Sequence, residues 1–236
     1  MPLWAKIRQF LSIVRGKRLT FALKNQEMKV SSKEPSLFYL WRLEEEAPRL
    51  LALCREAGIA CEDLLGEPVK RQRERAAERL LLREAFGRPV SVTRTEQGAP
   101  MVVGSDVNVS FSHTRWLVVL AVDEHRVIGV DAEKMDRRQV LKVRDKFLNE
   151  GEKRFIDRDN LTDHVIAWTA KEAIIKAERN SALDWTNGIR LEPFDCSGAL
   201  PPDGITFSGH CGGTEYRLTS FVLEGHCITL AVPLSE

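Results

Sequence analysis

The chain has 236 residues, of which 43% are hydrophobic, and a formal net charge of +1. That is enough for one large domain or two small ones with packed cores, and it excludes a wholly disordered chain and an overall electrostatic bias towards nucleic acid. Five cysteines (Cys54, Cys61, Cys196, Cys211 and Cys227) without a C-x-x-C pair indicate neither a disulfide framework nor a zinc site, so reduced thiols in a cytoplasmic protein are expected.

The charge is uneven along the chain. Residues 1–33 carry eight Lys or Arg against one acid, a sum of +7, and the rest sums to −6. Leu3, Ile7, Phe10, Leu11 and Val14 recur at helical spacing. Residues 1–35 therefore read as a basic N-terminal extension, either amphipathic and suited to a membrane surface or poorly ordered, with Met28 as an alternative start. There is no signal-peptide pattern, and no stretch reaches the roughly 18 apolar residues of a membrane span.

Past the extension, 37–42 reads as a strand and 48–57 as a helix ending at Gly58. Residues 71–86 form a longer helix stopped by Gly87–Pro89, with a densely basic first half. Short β-branched runs at 90–94, 107–111, 117–122 and 127–131 are strands, broken at Gly98-Ala99-Pro100, at 112–114 and at a tight hairpin turn over 123–125. Helices return at 137–148, 151–157 and 162–179, and strands close the chain near 205–208, 216–223 and 227–232. Helices followed by strands occur twice. The expected class is α+β: two pseudo-symmetric α/β halves, 36–125 and 126–236, each a small mostly antiparallel sheet packed against a long helix.

Three segments can carry chemistry. At period two, Asp131 and Glu133 project from one strand face with Ala132 opposite. Neighbouring carboxylates repel unless a proton or cation lies between them, and a hard divalent ion such as Mg²⁺ is the natural partner; the alternative is a solvated strand edge. In Trp168–Lys176, Glu172 and Lys176 share one helical face, with Trp168 and Ile175 on the core side. Glu172 suits a metal ligand or a base and Lys176 a phosphate; the pair also suits an ordinary salt bridge. In Ser110–Arg115, Ser112 and Thr114 flank His113 just after a strand, a setting for phosphate oxygens or for loop capping.

In that order these segments resemble the 4′-phosphopantetheinyl transferase superfamily, whose signature is a serine-histidine motif, then G-[VI]-D-x-E, then W-[ST]-x-K-E-[AS]-x-x-K. Here they are Ser112-His113-Thr114, Gly129–Glu133 and Trp168–Lys176. Lys146-Phe147-Leu148 with Glu152 resembles a further element of the family, and the likeness runs from about residue 37 to 232. Length and element order resemble the larger monomeric, surfactin-synthetase-activating type. The resemblance implies transfer of the phosphopantetheine arm of coenzyme A to a serine of an acyl or peptidyl carrier protein, with release of 3′,5′-ADP. It implies Mg²⁺, with Mn²⁺ as alternative, on Asp131, Glu133 and Glu172. It also implies Glu172, Lys176 and His113 as catalytic residues, and Lys176, His113, Ser112 and Lys171 against coenzyme A. Arg79 with Lys70, Arg71 and Arg73 matches the region around the 3′-phosphate and adenine.

This chain departs from the pattern at Ala99, where a basic residue is usual, and in 180–183, where glycines are usual. Arg137–Leu148, with Val140, Val143 and Phe147 at helical spacing beside Arg137, Arg138, Lys142 and Lys146, is a candidate docking helix for an acidic carrier. The competing readings are a catalytically silent CoA- or carrier-binding homologue and a different Mg²⁺-dependent phosphotransfer enzyme such as a pyrophosphatase.

Overall fold

The computed structural model describes residues 18–22, 36–195, 200–201 and 204–234. Four layers stack as helices, sheet, sheet, helix. The first sheet has the order β1-β2-β6-β5, from β1 (Arg18–Ala22), β2 (Leu37–Arg42), β5 (Asn108–His113) and β6 (Leu117–Asp123). The second has the order β7-β11-β10-β9-β8, from β7 (Gly129–Lys134), β8 (Ile189–Leu191), β9 (Ile205–Cys211), β10 (Thr214–Leu223) and β11 (His226–Pro233). A small hairpin, β3 (Val92–Arg94) with β4 (Pro100–Val102), stands apart. Every strand pair is antiparallel. The expected α+β class, with an antiparallel sheet against a long helix in each part, is what forms.

The layering follows from strand alternation. On β6, Val118, Leu120 and Val122 face a core shared with α1 (Ala47–Glu56) and α2 (Val69–Phe86). Leu117, Val119 and Ala121 face the other way. There they meet Phe38 and Leu40 of β2, Val130 and Ala132 of β7, and Ile228, Leu230 and Val232 of β11, which fill the space between the sheets. Strands buried on both faces read as unbroken apolar runs, as β6 does. The outer face of the second sheet packs on α5 (Leu161–Glu178), whose Ala170, Ala173, Ile174 and Ala177 are buried against it. Asn160 caps that helix by accepting from the Asp163 amide, and Arg179 ends it with a left-handed φ of 53°.

Gly129 sets how closely α5 approaches β7. A Cβ placed there would lie 1.8 Å from the Ala173 carbonyl oxygen and 2.7 Å from the Ala177 nitrogen, both backbone atoms. Only glycine permits that contact, and the contact brings the helix carrying Glu172 and Lys176 against the strand carrying Asp131.

Several expectations change. Residues 123–125 are not a hairpin turn: β6 pairs with β2 and β5, β7 pairs with β11, and the chain crosses there from one sheet to the other. The docking helix breaks at Val143 into α3 (Gln139–Lys142) and α4 (Arg144–Phe147), and Val140 and Phe147 are both buried in the core. The expected 151–157 helix shrinks to a single 3₁₀ turn at Glu152–Arg154. Within the basic extension, Arg18–Ala22 is a strand on the edge of the first sheet, where a helix or disorder was expected. The expected helical run from Leu3 to Val14 and Cys196 lie outside the described residues. Cys54, Cys61, Cys211 and Cys227 are buried and unpaired, and no helix among the described residues is long and apolar enough to cross a membrane.

Candidate active site

The two sheets meet along β5 and β7, and the junction is made by serines rather than by a backbone ladder. The Val130 amide donates to Ser110 Oγ at 3.0 Å, and the Ala132 amide donates to Ser112 Oγ at 3.1 Å. These bonds hold Asp131, the residue between, in one place along the seam. Ser112 Oγ in turn donates to Asp131 Oδ1 at 2.8 Å. Lys176, reaching down from α5, donates to the same oxygen at 2.7 Å and to the Val130 carbonyl at 3.0 Å. Asp131 Oδ2 is buried and has no hydrogen-bond partner.

Around this carboxylate opens a cleft of about 350 Å³. Ser112, His113, Asp131, Glu133, Glu172 and Lys176 all line it, so residues from β5, β7 and α5 that are distant in sequence share one space. Glu133 is held by Arg137 in an i,i+4 ion pair. Burial, and then the charge of Asp131, push the Glu172 carboxyl above the usual carboxylate range, while Lys176 and Arg137 pull it back. His113 Nδ1 lies 3.6 Å from Glu74 Oε1 on α2, which is buried and otherwise without a hydrogen bond.

As they lie, no three His, Cys, Asp or Glu side chains among the described residues converge closely enough to hold a metal ion. Two of the carboxylates are instead neutralised by cations of the chain, Asp131 by Lys176 and Glu133 by Arg137. The donors nevertheless fit a hard divalent ion: all are carboxylate oxygens, and Asp131 Oδ2 is an orphaned buried acceptor.

Lys171 does not reach this cleft. Its ammonium is fully buried on another face of α5, paired with Glu152 Oε2 at 2.7 Å, and it donates to the carbonyls of Phe147 (2.6 Å), Trp185 (2.7 Å) and Ile189 (3.1 Å). Its expected contact with coenzyme A is therefore corrected to a structural one; each of its three protons is spent inside the fold. Arg73 likewise clamps α2 to the chain after β2, donating to the carbonyls of Leu43 and Glu45, both at 2.8 Å. Arg79 is committed to Asp63 through two bonds of 2.8 and 2.6 Å, and to the Ala60 carbonyl. It lines a second cavity of about 510 Å³ that adjoins the first through shared Glu78, Arg94 and Phe111. Lys70 and Arg71 are exposed on α2, with Lys70 3.6 Å from Glu74.

Three charged lining residues escaped the sequence reading: Glu78, Arg94 and Arg179. Burial pushes the Glu78 carboxyl up, tempered by His113, Arg94 and Arg75. Nothing in the local sequence marks these three, because only the packing of α2, the β3–β4 hairpin and the end of α5 around one opening brings them in.

Residues 127–231 match the family model of the 4′-phosphopantetheinyl transferase superfamily. The matched stretch contains Asp131, Glu133, Glu172 and Lys176, while Ser112 and His113 precede it and join it through the serine contacts to β7. No curated protein matches the chain.

Proposed function

We propose that the protein transfers the 4′-phosphopantetheine arm of coenzyme A to a serine hydroxyl of an acyl or peptidyl carrier protein and releases 3′,5′-ADP. The observation that carries this reading is the gathering of Asp131, Glu133, Glu172, Lys176 and Ser112-His113 around one cleft, within and beside the stretch that matches the transferase superfamily.

In this reading the carrier serine oxygen attacks the phosphorus that bears the pantetheine arm. The bond from that phosphorus to the ADP oxygen breaks, the serine proton passes to a carboxylate or to water, and the electron pair leaves with 3′,5′-ADP. Such transfers ask the protein mainly for positioning and charge stabilisation. Asp131, Glu133 and Glu172 would hold Mg²⁺ or Mn²⁺, which supplies charge neutralisation on the pyrophosphate when bound. For that, Lys176 has to exchange the Asp131 oxygen for a phosphate oxygen, a short swing for a long side chain. His113, 45% exposed at the rim, is placed to meet another phosphate. The raised Glu172 carboxyl lies on the side that general-base work favours, although a bound cation opposes the rise. Arg138 just before α3, Lys142 on α3 and Lys146 on α4 are exposed and give an acidic carrier helix a complementary face. A monomer acting in the cytoplasm belongs to the same proposal.

The test is intact mass spectrometry of an apo-carrier incubated with the protein, coenzyme A and Mg²⁺. The carrier should gain the ~340 Da of a phosphopantetheine arm. Glu172→Gln should abolish the gain, and EDTA should stop it. Absence of the gain on several carriers would leave the catalytically silent CoA- or carrier-binding homologue as the better reading.

A further inference from the structure

Glu74 stands on α2 with an unused acceptor. Its side chain is only 9% exposed, yet Oε1 receives no hydrogen bond. Leaving a buried carboxylate oxygen unpaired is costly, and folded proteins keep few such atoms without a use for them. Two nitrogens lie within ion-pair reach of that oxygen, Lys70 Nζ and His113 Nδ1, each at 3.6 Å. Lys70 is one turn earlier on the same helix and 77% exposed, so water screens its ammonium and the pair holds little. His113 belongs to another element. It ends β5 and lines the cleft, so its contact with Glu74 joins α2 to the serine-histidine segment.

An imidazole is a directional group. In the neutral ring one nitrogen carries the proton and the other accepts, and what one nitrogen meets decides the state of the other. With Nδ1 turned to a carboxylate oxygen, the proton belongs on Nδ1, and Nε2 is the nitrogen left for a ligand. The 3.6 Å separation is an ion-pair distance that a small turn of the ring converts into a hydrogen bond, and contacts of this kind tighten when a ligand binds. Glu78, one turn further along α2, also feels the His113 charge, but burial pushes its carboxyl up towards the neutral form and makes it the weaker acceptor.

We propose that Glu74 is the positioning residue of His113: it accepts the Nδ1 proton, fixes the tautomer and orientation of the ring, and leaves Nε2 to meet the ligand. The inference rests on the transferase reading for the identity of that ligand. The contact itself does not depend on it. The competing role for Glu74 is a helix-surface pair with Lys70, which would leave the His113 ring indifferent to Glu74.

Proton–nitrogen correlation NMR of the imidazole rings at about pH 8.5, where an ordinary histidine is neutral, reads the tautomer directly. The spectrum of His113→Asn assigns the signal among the five histidines. Wild type should carry the His113 proton on Nδ1. In Glu74→Ala that population should fall, and the steady-state KM for coenzyme A should rise about tenfold, the scale of one charge-assisted contact, while KM for the carrier stays within about twofold. Glu74→Gln keeps an oxygen that accepts from Nδ1 and should restore both readings towards wild type. A wild-type proton on Nε2 overturns the inference, and this reading stands even if the alanine variant does not fold. An unchanged tautomer in Glu74→Ala, with or without a change in KM, also overturns it, as does a glutamine variant that behaves like alanine. Wild type with the proton on Nδ1 but no transfer from coenzyme A supports the contact and overturns the transferase reading instead.

Discussion

Ser112 shows how one hydroxyl can organise a site. It accepts the Ala132 amide and donates to Asp131, so it fixes both the strand and the carboxylate that strand presents. Ser112→Ala should weaken Mn²⁺ binding by roughly tenfold or more, the usual scale for losing a group that orients a metal ligand, and titration followed by electron paramagnetic resonance reads this directly. Unchanged affinity would detach Ser112 from the carboxylate site. Lys171 shows the opposite case, in which the residue type suggests phosphate binding and the surroundings forbid it. Lys171→Met leaves Glu152 buried without its cation, and urea unfolding should register a loss of about 3–5 kcal/mol. The folded fraction should keep wild-type affinity for coenzyme A; a selective loss of that affinity would restore Lys171 to the ligand site. The helical spacing separates Lys171 from Glu172, but that the Lys171 face meets Glu152 and the carbonyls of Phe147, Trp185 and Ile189 is set by packing between segments distant in sequence.

At the scale of elements, α5 and β7 form the framework of the site, and Gly129 sets their distance. Gly129→Ala drives a methyl group into the helix backbone, so either α5 withdraws or the pair fails to dock. We expect a destabilisation of about 3 kcal/mol or more by urea titration, with loss of transfer activity even under conditions where the variant remains folded. α3 and α4 illustrate a different compromise. Their apolar residues Val140 and Phe147 are consumed by the core, which leaves the exposed Arg138, Lys142 and Lys146 for a partner. Charge reversal at Arg138 and Lys142 should raise KM for the carrier more than KM for coenzyme A, and equal effects on both would remove this face from carrier docking.

At the scale of the whole molecule, the crossing from the first sheet to the second is tied at Asp123. Its carboxylate accepts from Ser36 Oγ, from the amides of His125 and Arg126, and from the Arg126 guanidinium. Burial alone would raise this carboxyl, but those hydrogen bonds outweigh burial and hold it below the ordinary aspartate range. A depressed folded value means the unfolded chain takes up the proton first. The contribution is therefore complete above the unfolded value and is lost as pH falls through the folded one, below about pH 4. Asp123→Asn should cost about 3 kcal/mol near neutral pH, and the gap from wild type should narrow in urea titrations carried to about pH 3. A gap independent of pH would assign the loss to packing instead.

Local composition and turn residues were enough to read α2, α5, β6 and most strands of the second sheet: long runs of helix formers between breakers for the helices, β-branched runs for the strands. The order of the serine-histidine, Asp131-x-Glu133 and Trp168–Lys176 segments was likewise visible, and with it the likeness to the superfamily whose model matches residues 127–231. What only the tertiary structure decided is which of these polar residues face the cleft. Asp131 and Lys176 are drawn together across the α5–β7 contact that Gly129 allows, Lys171 and Arg73 are diverted into the fold, and Glu78, Arg94 and Arg179 arrive from elements with no motif of their own. The reason is physical. A local pattern sets which way a side chain leaves its own strand or helix, but whether it meets solvent, a carbonyl cage or a ligand depends on what packs against that face, and those partners lie tens of residues away along the chain.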